Sequence, residues 1–397
     1  LCDGNSTLEV NFGNSNTGAG TVTYNWTNNN PDIGLAASGT GDIASFTASN
    51  DTTAQITGTI TATATYTYND ISCEGESQSF TITVNPSPQV DFSQTDQVIV
   101  SGETTTAVDL TSPTEDVVFS WTVSVPTGIS GVTTTSGTDN IPAETMVNLT
   151  TEPLTVVYTA VATGDVGFDC GGLDTLYNVT VNPLAIVNPV NDQTVCNGDN
   201  ILVEFSSALS GGNITYSWTN DNSNIGLSNA GTGNIDVIAT NTSNQPITGN
   251  IVVTPSFENG GNTNIGDPIT FTITVNPTGQ VSVSDAIQVL SNGFDTNQIA
   301  FSTSNIGGTT TYNWTNSDTS IGLAASGSGN INAFTAINTG TSPVTSNLNV
   351  IGTFENNGVS CVGPSVPFEI TVNPTAQVDQ TNDIIVSNGD NVNVPFT

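Results

Sequence analysis

One stretch, centred on a tryptophan, occurs three times almost unchanged. Tyr24-Asn25-Trp26-Thr27-Asn28 runs on into Ile33-Gly34-Leu35 and then Gly39-Thr40-Gly41-Asp42-Ile43. Tyr216-Ser217-Trp218-Thr219-Asn220 leads in the same way to Ile225-Gly226-Leu227 and Gly231-Thr232-Gly233. Tyr312-Asn313-Trp314-Thr315-Asn316 leads to Ile321-Gly322-Leu323 and Gly327-Ser328-Gly329. A looser copy, Phe119-Ser120-Trp121-Thr122, lies between the first two, so that successive tryptophans are 95, 97 and 96 residues apart. A repeat of that period constrains the chain to an array of small domains, each with its own core.

The ends of the repeats are marked by Thr81-Ile82-Thr83-Val84-Asn85-Pro86 and by matching Val-Asn-Pro triplets that end at Pro183, Pro277 and Pro374. Each reads as a last strand, apolar residues alternating with Thr, stopped by a proline that cannot donate to the ladder. The expected domains are 1–86, lacking its first strand, then 87–183, which diverges most, 184–277 and 278–374. Residues 375–397 begin a fifth copy, and the chain is expected to be a segment of a longer polypeptide. Within the first copy, Leu8, Val10 and Phe12 alternate, as do Val22, Tyr24 and Trp26, Ile60 to Tyr68, and Phe80, Ile82 and Val84. Roughly seven short strands in ~95 residues predict an all-β, immunoglobulin-like sandwich, with Trp26, Trp121, Trp218 and Trp314 in the cores. Short Pro-stiffened junctions predict sandwiches set end to end as an elongated rod roughly 130–170 Å long. Strand donation from 375–397 into the incomplete first copy of another chain is the rival arrangement.

Composition narrows the function. The chain has no Lys, Arg or His, where about fifty basic residues would be ordinary, and carries 35 acidic ones. Nothing on it can neutralise a phosphate, which excludes nucleic acid and anionic membrane surfaces as partners. Without imidazole or lysine there is no Ser-His-Asp, Cys-His or Schiff-base chemistry, and no Asp or Glu pair recurs with the repeat, so an enzyme is not expected. No run of 18 apolar residues occurs, so no membrane insertion is expected in this segment. The Gly-x-Gly pieces are not followed by helices or lysine and read as turns, with glycine supplying positive φ. No cofactor is expected. Calcium is the alternative that many loop Asp and Asn leave open, but Asp32, Asp221 and Asp318 follow their tryptophans by 6, 3 and 4 residues, so no ligand position recurs.

The five cysteines follow the repeat frame. Cys73, Cys170 and Cys361 each stand 13 residues before a closing proline, and Cys2 and Cys196 open a copy. Placing the opening and the loop before the last strand at one pole of the sandwich predicts a Cys2–Cys73 disulfide, worth roughly 4 kcal/mol in the chain-entropy model. Cys170, Cys196 and Cys361 are then expected to be unpaired.

Taken together, Tyr-x-Trp-Thr-Asn, Ile-Gly-Leu, Gly-x-Gly-x-Ile, Cys-x-Gly and Thr-Val-Asn-Pro resemble the PKD-like repeats of giant surface proteins of Bacteroidetes, of the gliding-motility adhesin type exported by type IX secretion. The resemblance implies an extracellular, cell-surface filament, in which this chain is a structural stalk whose immediate partners are neighbouring repeats. The alternative it leaves is a module binding a glycan or an external surface, with the divergent second copy as the candidate. It also implies O-glycosylation at Thr52 in Asp51-Thr52-Thr53 and at Thr175 in Asp174-Thr175-Leu176. A chain without Lys or Arg also offers trypsin-like proteases no cleavage site, which suits life outside a cell.

Overall fold

The computed structural model describes residues 1–164 and 170–394. Among these, regular structure consists of β-strands and three single-turn 3-10 segments, Pro31–Ile33, Ser223–Ile225 and Thr319–Ile321. The chain divides into two compact units.

The first unit comprises Leu1–Ala185 with Ala208–Ile214 and Phe257–Ile265. In the first repeat, strand Thr21–Asn28 pairs with Ser38–Thr40 on one side and the long strand Ile56–Tyr68 on the other. Ile56–Tyr68 then pairs along its two halves with Gln78–Val84 and with Ile71–Glu74. The second layer is reduced to bridges such as Ser6–Thr47 and Val10–Ile43. Trp26, Ile33, Leu35, Ile43, Ala48, Ile60 and Val84 fill the space between. Of the alternating Leu8, Val10 and Phe12, the last two pack against this core, whereas Leu8 is exposed. In the second repeat, the sheet runs Ser136–Gly137, Val117–Ser124, Leu154–Gly164, Thr175–Asn182, Gln97–Val100, the last pair parallel. Its core adds Tyr158 and Tyr177 to Trp121.

The second unit comprises Ile186–Ser207, Thr215–Ser256 and Gly266–Thr397. The third-repeat core holds Trp218 with Ile225, Leu227, Ile251, Phe271 and Val275. Here Gln193–Cys196 runs parallel to Ile269–Asn276, and Asn200–Val203 pairs with Ile235–Ile238 in the opposite layer. In the fourth repeat the sheet runs Ile287–Ser291, Val359–Asn373, Val344–Asn356, Thr309–Asn316, Ser326–Ser328, around Trp314, Ile321, Leu348 and Phe368. Residues 375–394 form no strand.

The recurring sequence pieces have specific jobs. The first glycine of Gly-x-Gly lies under the indole: a Cβ on Gly39, Gly231 or Gly327 would come within 2.2–2.3 Å of the tryptophan Cζ2. Only the second glycine serves the turn, with φ of 72°, 69° and 68° at Gly41, Gly233 and Gly329. A buried asparagine stands in every repeat: Asn50, Asn148, Asn241 and Asn338. Its Nδ2 donates to the carbonyl four residues on and to that of the closing valine, Val84, Val181, Val275 or Val372. Those bonds satisfy backbone oxygens at the buried end of the closing strand, where an unmade bond would cost about 1–3 kcal/mol.

The expected Cys2–Cys73 disulfide is not formed. Cys2 is bonded to Cys170 and Cys196 to Cys361, so the three cysteines expected to be unpaired are paired, and Cys73 is a free, exposed thiol. The pole assignment was at fault. Cys2 lies parallel beside Asn85, at the far end of strand Gln78–Val84, whereas Cys73 sits in the hairpin that precedes the strand. Seven residues of strand hold these ends roughly 20 Å or more apart, and a disulfide needs Cα atoms within about 7 Å.

Candidate functional site

The joints between repeats are held by paired asparagines and by disulfides. Each is built from the end of one closing strand and the hairpin of the following repeat. The closing strand brings its asparagine, from Val-Asn-Pro, and the opening strand running parallel beside it. The hairpin brings the turn end of its two longest strands.

In the first unit, Asn182 is fully buried. Its Nδ2 donates to the Asn259 carbonyl at 3.1 Å, and Asn259 Nδ2 donates back to Asn182 Oδ1 at 2.8 Å. Asn264 extends the clamp, accepting from the Ala185 amide at 2.7 Å and donating to the Pro183 carbonyl at 3.1 Å. Asn262 donates to the Val98 carbonyl on the opening strand. A second contact joins Ser210 N–H to the Thr151 carbonyl at 2.9 Å. Between the first and second repeats the link is covalent, the Cys2 and Cys170 Cα atoms lying 5.6 Å apart.

The second unit repeats the arrangement. Asn276, also fully buried, donates to the Asn356 carbonyl at 3.1 Å and accepts from Asn356 Nδ2 at 3.0 Å. The Cys196–Cys361 bridge lies beside this clamp, and Gly279 N–H donates to the Cys361 carbonyl. Asn244 donates from Nδ2 to Ser304 O and accepts from Ile306 N–H. These polar contacts use neutral amides and backbone, in a chain whose side-chain charges are all negative. Salt screening and titration therefore leave them intact.

The carboxylates serve the fold. Asp221 accepts from the backbone and side chain of Asn250, and these bonds hold its pKa below the usual range. Asp318 caps a 3-10 turn through Ser320 N–H, and hydrogen bonding from the Ser320 side chain and backbone lowers its pKa, while Asp32 lies within the turn capped by Asn30. The three loop aspartates thus occupy different structural roles, and among the described residues no group of three or more Asp, Glu or Cys could hold a metal ion. Among the described residues, Glu144 is the buried carboxylate. Burial pushes its pKa up, but hydrogen bonds from the backbone and side chains of Thr134 and Thr133 outweigh that and leave it lowered. Burial, with the Glu144 carboxylate and Tyr177 nearby, pushes Tyr158 up to about 12.

Of the residues singled out in the sequence, Trp26, Trp121, Trp218 and Trp314 are buried in four separate cores, not gathered in a site. Trp121 and Trp218 donate from Nε1 to the carbonyls of Asp139 and Gly233. Thr52 is exposed, but its hydroxyl is engaged with Asn50 Oδ1 and the Ala54 carbonyl. Thr175 begins the closing strand of the second repeat and is half-buried, with one long contact to the Leu173 carbonyl. The joint asparagines were missed in the sequence. Their signal was present in the recurring Asn before each proline, which reads as a strand stop until its burial is seen.

A PKD-like domain model matches residues 94–185, the second repeat. No curated protein matches the chain. Among solved structures, the human desmocollin-1 ectodomain is 13% identical, with 98% of this chain and 83% of that one covered and a TM-score of 0.28. Drosophila N-cadherin EC1-4 is 12% identical, with 91% and 94% covered and a TM-score of 0.28. A three-domain titin fragment, I67-I69, is 9% identical, with 73% and 99% covered and a TM-score of 0.36. With TM-scores below 0.5, these overlays do not bear on function.

Proposed function

We propose that this chain is a load-bearing stalk segment of a secreted, cell-surface adhesin filament, of the kind used for surface attachment or gliding and exported by type IX secretion. The observation that carries the reading is the placing of both disulfides between repeats. Cys2–Cys170 and Cys196–Cys361 bypass 168 and 165 residues of sequence. When the chain is pulled beyond the bridged residues, tension passes through the S–S bonds, and the residues that each bridge encloses are shielded. A bridge confined to one sandwich would protect that domain and leave the joint to hydrogen bonds. The extracellular setting agrees with the disulfides, which persist in oxidising compartments. Neighbouring repeats are the immediate partners in this reading, and Thr175 is the better placed of the two glycosylation candidates because the Thr52 hydroxyl proton is already committed.

Pulling single molecules by Leu1 and Thr397 tests the proposal. The oxidised chain is expected to extend little. Reduction should release about 600 Å of contour per bridge, at ~3.6 Å per residue. Equal extension before and after reduction would remove the mechanical reading. A binding module is the second reading, and retention of the isolated chain on a glycan array would favour it.

A further inference from the structure

The three hairpin cysteines share one register position. Cys73 lies opposite Tyr66 on the neighbouring hairpin strand, and Cys361 lies opposite Phe354 in the same way. Cys170 has the same spacing to its closing proline. Two of the three are bonded, and both to one kind of partner: the residue that lies parallel beside the closing asparagine of the preceding repeat. That residue is Cys2 beside Asn85 and Cys196 beside Asn276. At the joint between the second and third repeats the same two positions hold Val100, beside Asn182, and Asn264. Both members of the pair are cysteine, or neither is.

Cys73 therefore stands in a joint position whose occupied equivalents are covalently bound to another repeat. Its surroundings are bare in the same sense. Tyr68 and Ile71, which take the places of Asn259 and Asn262, are 50% and 70% exposed. In the third repeat those places are turned against Asn182 and Val98.

We propose that the hairpin of Ile56–Tyr68 and Ile71–Glu74 is a docking face for the closing end of another repeat of this kind, one with cysteine at its opening position, and that Cys73 forms a disulfide with that cysteine. Each thiol loses a proton and an electron as the S–S bond forms. The two electrons reduce the disulfide of an oxidised thiol–disulfide oxidant to two thiols. The inference extends the stalk reading but rests on the joints, and the pulling experiment does not involve Cys73, so the two fail separately.

The full chain carries its own probe. Ser291 holds the opening position of the fourth repeat, parallel beside Asn373, and is exposed. In a glutathione redox buffer, the Ser291→Cys variant should form head-to-tail covalent oligomers linked from Cys73 to position 291, as mapped by mass spectrometry. Adding Cys73→Ser should abolish them. Ser302→Cys, at another exposed site of the same repeat, should couple at least about tenfold more slowly, because only a docked end raises the effective concentration. The proposal is overturned if Ser291→Cys stays monomeric, if Ser302→Cys couples equally fast, or if Cys73–Cys73 links dominate.

Discussion

Asn182 and Asn259 hold one another through two hydrogen bonds, side chain to backbone in one direction and side chain to side chain in the other. Asn276 and Asn356 do the same in the second unit. Burial makes these bonds consequential, because an amide left unpaired inside the joint is more costly than the bond itself is favourable. Asn182→Ala should therefore weaken its joint by about 1–3 kcal/mol and leave the sandwich cores folded. Hydrogen exchange should show faster exchange across 259–264 and unchanged protection around Trp121.

The disulfide pattern is directly measurable. Non-reducing peptide mapping should recover Cys2 with Cys170 and Cys196 with Cys361, and alkylation of the folded chain should label Cys73 alone. Pepsin or an Asp/Glu-directed protease is needed, since trypsin has no site. Reduction should destabilise each bridged pair, by about 5 kcal/mol per loop of this length in the chain-entropy model.

The tryptophan sites separate three kinds of damage. Trp218→Ala should cost about 3–5 kcal/mol through the cavity it leaves. Gly231→Ala places a methyl about 2.2 Å from the indole Cζ2 and should cost about 1–3 kcal/mol by overpacking. Gly233→Ala meets no neighbour but must adopt φ of 69°, for about 1 kcal/mol of strain. Hydrogen exchange of the Ile251 and Val275 amides, measured in increasing denaturant, should rank the three in that order.

Glu144 gives the second repeat an acid-sensitive point. Its folded pKa lies below the 4.5 of an ordinary glutamate, so the unfolded chain binds the proton more tightly. The stability it contributes is present above about pH 4.5 and is lost as the pH falls through the folded pKa. Protection of the Thr133 and Thr134 amides, corrected for intrinsic exchange, should drop below pH 4.5. Glu144→Gln should lower protection at neutral pH and flatten the dependence.

The all-β class and the buried tryptophans were legible because a period-two pattern and a recurring Trp are local properties of the chain. The first glycine of Gly-x-Gly was misread as turn chemistry, since nothing local says that an indole will lie against Gly39. Leu8 looked like a strand residue, but the segment it belongs to is held by isolated bridges at Ser6 and Val10 and by a backbone bond at Thr7, and the Leu8 side chain is exposed. The cysteine pairing could not be read from spacing within one copy. Cys73 and Cys170 have the same frame, and the choice between them depends on which end of a folded sandwich faces the next. Val100 and Asn264, alike in lacking sulfur, were the trace of that pairing in the sequence.

The separation of Cys2 from Cys73 also orders the assembly of the chain in time. Read out from the N-terminus, Cys73 emerges 71 residues after Cys2, and Cys170 emerges 168 residues after it. In an unfolded chain the shorter loop closes more readily, by roughly 0.8 kcal/mol, and earlier. The wrong bridge is thus the kinetically favoured one until the first sandwich forms and carries its two thiols to opposite ends. Folding of that sandwich acts as the editing step, holding Cys2 open until the next hairpin arrives. A chain oxidised before it folds would be locked out of its own joint.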